Sequence, residues 1–176
     1  MSERHFVLAF PKLITADFKW IQTIRAEYDK QFSLVEPHFT LVFGTTAVSS
    51  TQLTNHVQQQ FATTPPFRFV CRCATVVKDS FGPDTYTFLL PDEGNSQLIK
   101  LHDQLYTGIL HGELRLDIPY LPHITIGSFA EPMESKQLAD QLNHEGFEIV
   151  GAIESVQIVA LGGGGITAVS TIPLAG

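Results

Sequence analysis

Positive charge is scarce in this chain. Its 176 residues include 11 lysines and arginines against 18 aspartates and glutamates, for a formal net charge of −7. Proteins that grip long nucleic acids neutralise several phosphates with basic side chains, and their domains are usually basic. An acidic chain with no basic tract argues against a long duplex as partner and leaves room only for a short, end-like phosphate in a local pocket. Cysteine is scarce too, with only Cys71 and Cys73. Two apart on one strand they would sit about 6–7 Å from each other, which suits a disulfide poorly. They also offer too few ligands for zinc. Both read as buried free thiols. No run approaches the roughly 18 apolar residues that a membrane span needs. The apolar stretch in "MSERHFVLAFP" is too short for a signal-sequence core, so a cytoplasmic protein is expected. There is no His-Glu-x-x-His and no paired-cysteine motif, so neither a metal nor another cofactor is expected, and no obligate protein partner is evident.

What is present is a core. Hydrophobic residues make up 44% of the chain and charged residues 16%, the balance of a folded globule. The length fits one domain, 1–176, built of two small lobes.

The hydrophobic periodicity alternates between the two regular types. "HFVLAF" (5–10) reads as a strand. In the segment after it, Phe18, Ile21, Ile24, Tyr28 and Phe32 recur at helical spacing, with Asp17 as candidate N-cap. "SLVEPHFTLVFG" is a strand, "SSTQLTNHVQQQFA" a helix and "FRFVCRCATVVK" a long strand. The second half follows with strand "DTYTFLLP", helix "NSQLIKLHDQLYTGIL", strand "YLPHITIGSF" and helix "EPMESKQLADQLNHEG". Two strands, "FEIVGAIESVQIVAL" and "ITAVSTIPL", close the chain across "GGGG". This grammar predicts an α+β fold: a bilobal duplicated unit, with two antiparallel-rich sheets facing a central cleft and helices outside.

One pattern occurs twice. "PHFTL" at 37–41 and "PHITI" at 122–126 share a Pro-His-apolar-Thr-apolar frame. Residues two apart on a strand share a face, so His38 and Thr40 point one way while Phe39 and Leu41 point the other. His123 and Thr125 stand likewise against Ile124 and Ile126. Pro37 and Pro122 cannot donate to a ladder, which places them at strand starts or on sheet edges. Two such pairs meeting across one cleft form an acid–base site. A neutral imidazole deprotonates a water or hydroxyl, and a charged one protonates a leaving oxygen. The threonine hydroxyls donate to oxygens where charge develops. A phosphodiester has an oxygen to serve at each end of an in-line displacement.

The pair "HFTL" and "HITI" resembles the signature of the two-histidine (2H) phosphoesterases, which include RNA 2′,3′-cyclic phosphodiesterases, also called 2′-5′ RNA ligases. The resemblance implies His38 and His123 as the catalytic pair, Thr40 and Thr125 as substrate phosphate ligands, and a bilobal α+β fold. It implies a cyclic phosphodiesterase acting on a small cyclic nucleotide or an RNA end with a 2′,3′-cyclic phosphate. The alternatives are a 2′-5′ ligase activity and a non-catalytic binder of nucleotide or RNA ends. Many RNA-end members carry an arginine three residues after the second threonine, where this chain has Ser128.

Other features have plainer readings. Arg68, Arg72 and Lys78 alternate onto one strand face, a solvated face unless an arginine enters the cleft; Arg115 is another candidate for that role. Tyr86 and Phe88 read as core, or as a platform for a base. Phe43 and Phe129 read as packing, "GGGG" as a hairpin turn, and His5, His56, His102, His111 and His144 as surface or structural residues.

Overall fold

The computed structural model describes residues 3–162 and 165–176. In chain order the elements are β1 (Arg4–Ala9), β2 (Lys12–Leu13), α1 (Thr15–Tyr28), β3 (Phe39–Thr45), α2 (Ser50–Phe61), β4 (Phe67–Lys78) and β5 (Thr85–Glu93). There follow α3 (Asn95–Leu105), a 3-10 turn (Gly108–Glu113), β6 (Ile124–Phe129), α4 (Pro132–Glu145), β7 (Ile149–Ile153), β8 (Ser155–Gly162) and β9 (Gly165–Pro173).

The α+β class with two antiparallel sheets is as expected. One sheet runs β3-β1-β8-β9 and the other β2-β7-β4-β5-β6, every pairing antiparallel. Each His-Thr segment leads into an edge strand, β3 in the first sheet and β6 in the second, which is where a preceding proline is tolerated. The two halves of the sequence exchange strands. β4, from the first half, joins the second sheet, while β8 and β9 return to the first. The single strand expected over "FEIVGAIESVQIVAL" breaks at Glu154, where the chain changes sheets. Helices α2 and α3 pack on the first sheet, α1 and α4 on the second. One apolar cluster joins both sheets, with the Phe39 ring of β3 edge-on to Phe69 of β4 at 5.0 Å.

Local chemistry explains most element ends. Ser49 and Gln52 form a reciprocal capping box that opens α2. Pro132 opens α4, and Gly146 closes it at φ +73°. Asp17 is not an N-cap, because the chain passes from β2 straight into α1 at Thr15. Its carboxylate sits in the first turn, facing the positive helix end, and accepts from Val150 N–H at 3.4 Å. Phe32 lies beyond α1 and is exposed, and α3 stops at Leu105. β8 and β9 form the hairpin expected around the glycines, with Gly162 opposite Gly165; Gly163 and Gly164 lie outside the described residues. Both cysteines are free, but only Cys71 is buried. An extra residue at Arg72 shifts the register against β5, so Ala74 instead of Cys73 joins Cys71 on the buried face. Burial pushes the Cys71 thiol up to about 12. Among the described residues, no helix is long and apolar enough to cross a membrane.

The segment leading to His38 is stitched from within. Arg25 and Asp29, both buried, form an ion pair at 2.7 Å one helical turn apart. The other arm of the guanidinium donates to Val35 O at 2.7 Å, and Asp29 Oδ1 accepts from Gln31 N–H at 2.9 Å. Together they fold residues 29–35 into one shape. Arg25→Ala leaves the Asp29 carboxylate buried without its cation, a change that costs about 3–5 kcal/mol. Urea unfolding should show a lower midpoint with an unchanged slope; a loss below about 1 kcal/mol would mean the pair is not holding this segment.

Candidate active site

The two His-Thr segments are built alike. His38 and His123 stand immediately before β3 and β6, and their prolines are buried. His38 Nδ1 lies 2.8 Å from Glu36 O, and His123 Nδ1 lies 2.6 Å from Leu121 O, in each case the carbonyl two residues back. A carbonyl only accepts, so Nδ1 carries the proton in both rings and the lone pair of the neutral ring sits on Nε2.

Each strand then carries the same irregularity. In β3 the partners of Val7 and Leu8 are Val42 and Thr40, so Leu41 is an extra residue. In β6 the partners of Thr87 and Phe88 are Gly127 and Thr125, so Ile126 is extra. Both bulges fall on the residue after the threonine. Side-chain alternation breaks there, so the residue three after the threonine returns to the threonine's side. In the first segment that residue is Phe43, which lines the cleft and does not pack in the core as expected. In the second it is Ser128, opposite Tyr86. Phe129 does pack, against Tyr28 at 5.6 Å.

All four sequence-selected residues, His38, Thr40, His123 and Thr125, line one cavity of about 330 Å³. Tyr86 and Phe88 border it as well, and Phe88 is buried, as the core reading expects. Phe88 lies parallel to the His123 ring, centroids 3.5 Å apart, with Tyr86 stacked behind at 5.6 Å. Burial lowers both histidine pKa values, against the opposing pull of the carbonyl bonds. His123 is pushed down to about 4, and the nearby charge of His38 adds to the effect. A second, apolar hollow of about 240 Å³ adjoins on the β1–β8 side and shares Gln31, His38, Thr40 and Phe43 with the first.

The two segments are also tied to each other. Tyr120, three residues before His123, donates its hydroxyl to Thr40 O at 2.9 Å. In the other direction, Lys30 N–H in the segment before His38 donates to Ser128 Oγ at 3.0 Å. β3 has further support as an edge strand: His102 holds Leu41 O at 2.9 Å, and Phe43 N–H donates to the Tyr106 hydroxyl at 3.0 Å. The His102 ring stacks on Tyr120 at 3.6 Å. His102 is therefore structural, as expected, and its structural role lies at the first His-Thr bulge. His56 is likewise structural, bonded to Leu105 O at 2.8 Å.

The arginines proposed for the cleft are elsewhere. Arg72 is bound by Glu148, Asp92 and Glu93, and Arg68 by Glu93, on the outer face of the second sheet. Arg115 forms two bonds to Asp117 and lies over Phe81 at 5.4 Å. The cavity cation is Lys78, at the end of β4. Lys78 is exposed, as the solvated-face reading expects, and it also reaches the cavity wall. The only sequence signal for Tyr120 is its place just ahead of the second proline and histidine.

Comparison with known proteins agrees with this architecture. The model of the 2′-5′ RNA ligase superfamily matches residues 14–165. A protein of Geobacillus thermodenitrificans strain NG80-2, provisionally named a phosphoesterase, is 30% identical over 150 residues, 82% of each chain. A similarly named protein of Geobacillus kaustophilus strain HTA426 is 29% identical over 142 residues, 79% of this chain and 77% of that one. Among solved structures, Escherichia coli LigT complexed with 3′-AMP superposes with a TM-score of 0.68 at 18% identity, over 99% of both chains. Kluyveromyces marxianus Usb1 gives 0.56 at 10% identity, over 98% of this chain and 99% of that one. With two matching His-Thr segments facing one cavity and a family model spanning most of its length, the chain belongs to the 2′-5′ RNA ligase superfamily of 2H phosphoesterases.

Proposed function

We propose that the protein is a metal-independent cyclic phosphodiesterase that hydrolyses a 2′,3′-cyclic phosphate on a small nucleotide or RNA end. The observation that carries this reading is the pair of matched imidazoles on one cavity, each with Nδ1 tied back and Nε2 left for chemistry. His123 is the neutral partner over the working pH range and takes a proton from water through Nε2. The water oxygen bonds to phosphorus as the bond from phosphorus to one ribose oxygen breaks. Protonated His38 gives its proton to that departing oxygen. The product is a phosphomonoester beside a free hydroxyl. Thr40 and Thr125 donate to the non-bridging oxygens, where charge grows. A 5′-hydroxyl in place of water would make the same step a 2′-5′ ligation, so ligase activity is tested by adding an acceptor strand. A binder would keep affinity for the cyclic phosphate and turn none of it over.

His38→Ala and His123→Ala should each lower kcat/KM on 2′,3′-cyclic AMP, with chelator present, by about 10²–10⁴. Either variant within tenfold of wild type would remove that histidine from the mechanism.

The pH dependence follows from the two lowered pKa values. Catalysis needs one ring charged and the other neutral. In the free protein that state prevails between about 4, set by His123, and the lowered pKa of His38, below 6.5. The kcat/KM profile should therefore be bell-shaped with its maximum below pH 6.5, falling tenfold per unit on the alkaline side. A bound phosphate anion favours the charged rings, so the kcat profile should lie at higher pH. Phe88→Leu, which uncovers part of the His123 ring, should move that residue's NMR titration upward. An unchanged or lower value would show that the stacked ring does not cause the desolvation.

A further inference from the structure

The cavity that holds both His-Thr pairs has one lysine or arginine on its wall, Lys78. Its ammonium donates to Pro83 O and, at 3.2 Å, to Asp84 O, and it pairs with no carboxylate among the described residues. Two neutral carbonyls orient the group without compensating its charge. The cations nearby are already paired, Lys30 with Asp84 at 2.5 Å and Arg115 with Asp117 at 2.8 and 2.5 Å. Among the described residues the one acid on the wall, Asp79, is turned into its own hairpin, accepting from Phe81 N–H at 2.9 Å and from the Tyr86 hydroxyl at 3.2 Å.

Lys78 lines the same cavity as the two His-Thr pairs. Its register partner is Thr85, one row from Val77 and Tyr86 on the wall, so the exposed side chain reaches the cavity from the end of β4. Ser128, which is buried, is engaged by the Lys30 N–H. The adjoining hollow, in contrast, is lined by no lysine, arginine, aspartate or glutamate. A second phosphate placed there would be desolvated against apolar side chains, and its one charged neighbour would be His38, which the reacting phosphate already engages.

We infer that Lys78 is the substrate-binding cation of the cleft, and that the cleft engages its substrate through a single phosphate, as a compact nucleoside cyclic phosphate and not as an RNA strand read along its backbone. This rests on the phosphoester reading of the site and names its substrate class. The ammonium contacts the anionic oxygens of the diester held between the two His-Thr pairs. Its mobile stem lets it leave the two carbonyls as the anion enters.

The test is steady-state kinetics on 2′,3′-cyclic AMP and on an RNA oligomer ending in a 2′,3′-cyclic phosphate, from 0.05 to 0.3 M salt. Lys78→Gln should raise KM at least tenfold with kcat within about threefold, and Lys78→Arg should restore most of the loss. For wild type on the RNA oligomer, log KM should rise with log salt by about 0.7, the slope of one phosphate contact on a single strand. The slope on 2′,3′-cyclic AMP should be no steeper, and both should flatten in Lys78→Gln. An unchanged KM in Lys78→Gln would overturn the assignment, and a slope of two or more contacts on RNA would overturn the single-phosphate cleft. If the wild type turns over neither substrate, the phosphodiesterase reading fails, and inorganic phosphate titrated by NMR still tests Lys78. Shifts at the His123 ring in wild type that disappear in Lys78→Gln would support it; equal affinity, or no binding by either protein, would sink it.

Discussion

A hydrogen bond runs from the lead-in of each His-Thr strand to the other strand. Tyr120 reaches from ahead of His123 to Thr40 O, and Lys30 N–H reaches from ahead of His38 to Ser128 Oγ. Neither histidine has a sheet of its own to fix it, since each stands one residue outside an edge strand. Crossed in this way, neither segment can move without disturbing the other, and the two rings keep their relation across the cavity. The buried Arg25–Asp29 pair completes the arrangement by fixing the segment that carries Lys30. Placing charges in the core of a small domain is costly. Here the charged pair gives the peptide groups of residues 31–35 partners that no strand supplies.

The bulges give the duplication its chemical content. A regular strand would turn Phe43 and Ser128 toward the core. With Leu41 and Ile126 inserted, each strand keeps a histidine and a threonine on the cavity, and the first adds Phe43. The position three residues after the threonine is where the halves differ. A phenyl ring widens the apolar wall in one, and a serine accepts a structural hydrogen bond in the other. The positive charge comes from the end of a different strand, at Lys78.

The site is therefore built on opposed tendencies. Phe88 stacks on the His123 ring, and burial lowers that residue's pKa, which resists the arrival of a positive charge there. The lysine ammonium, held only by carbonyls, favours the arrival of an anion. In a protein of net charge −7, this local cation stands against a general repulsion of polyanions.

The recurring Pro-His-x-Thr frame made the four central residues, and the α+β class around them, readable from the chain alone. A period of two puts His and Thr on one face wherever the strand goes, and proline forces that strand toward an edge. Sequence could not show which sheet each strand would join. Glu154 looks like any residue in a strand, yet it is where the chain leaves one sheet for the other, and only the filling of the common core decides that. Nor could it show the outward turn of Cys73, the cleft position of Phe43, or the choice of Lys78 over Arg68, Arg72 and Arg115. Each of these depends on a bulge or on the carboxylates that neighbouring strands bring within reach. The chain by itself determined the paired histidines and threonines and their direction along each strand, because alternation is local. The tertiary structure alone decided their mutual placement, their desolvation and the source of positive charge, because those depend on atoms distant in sequence.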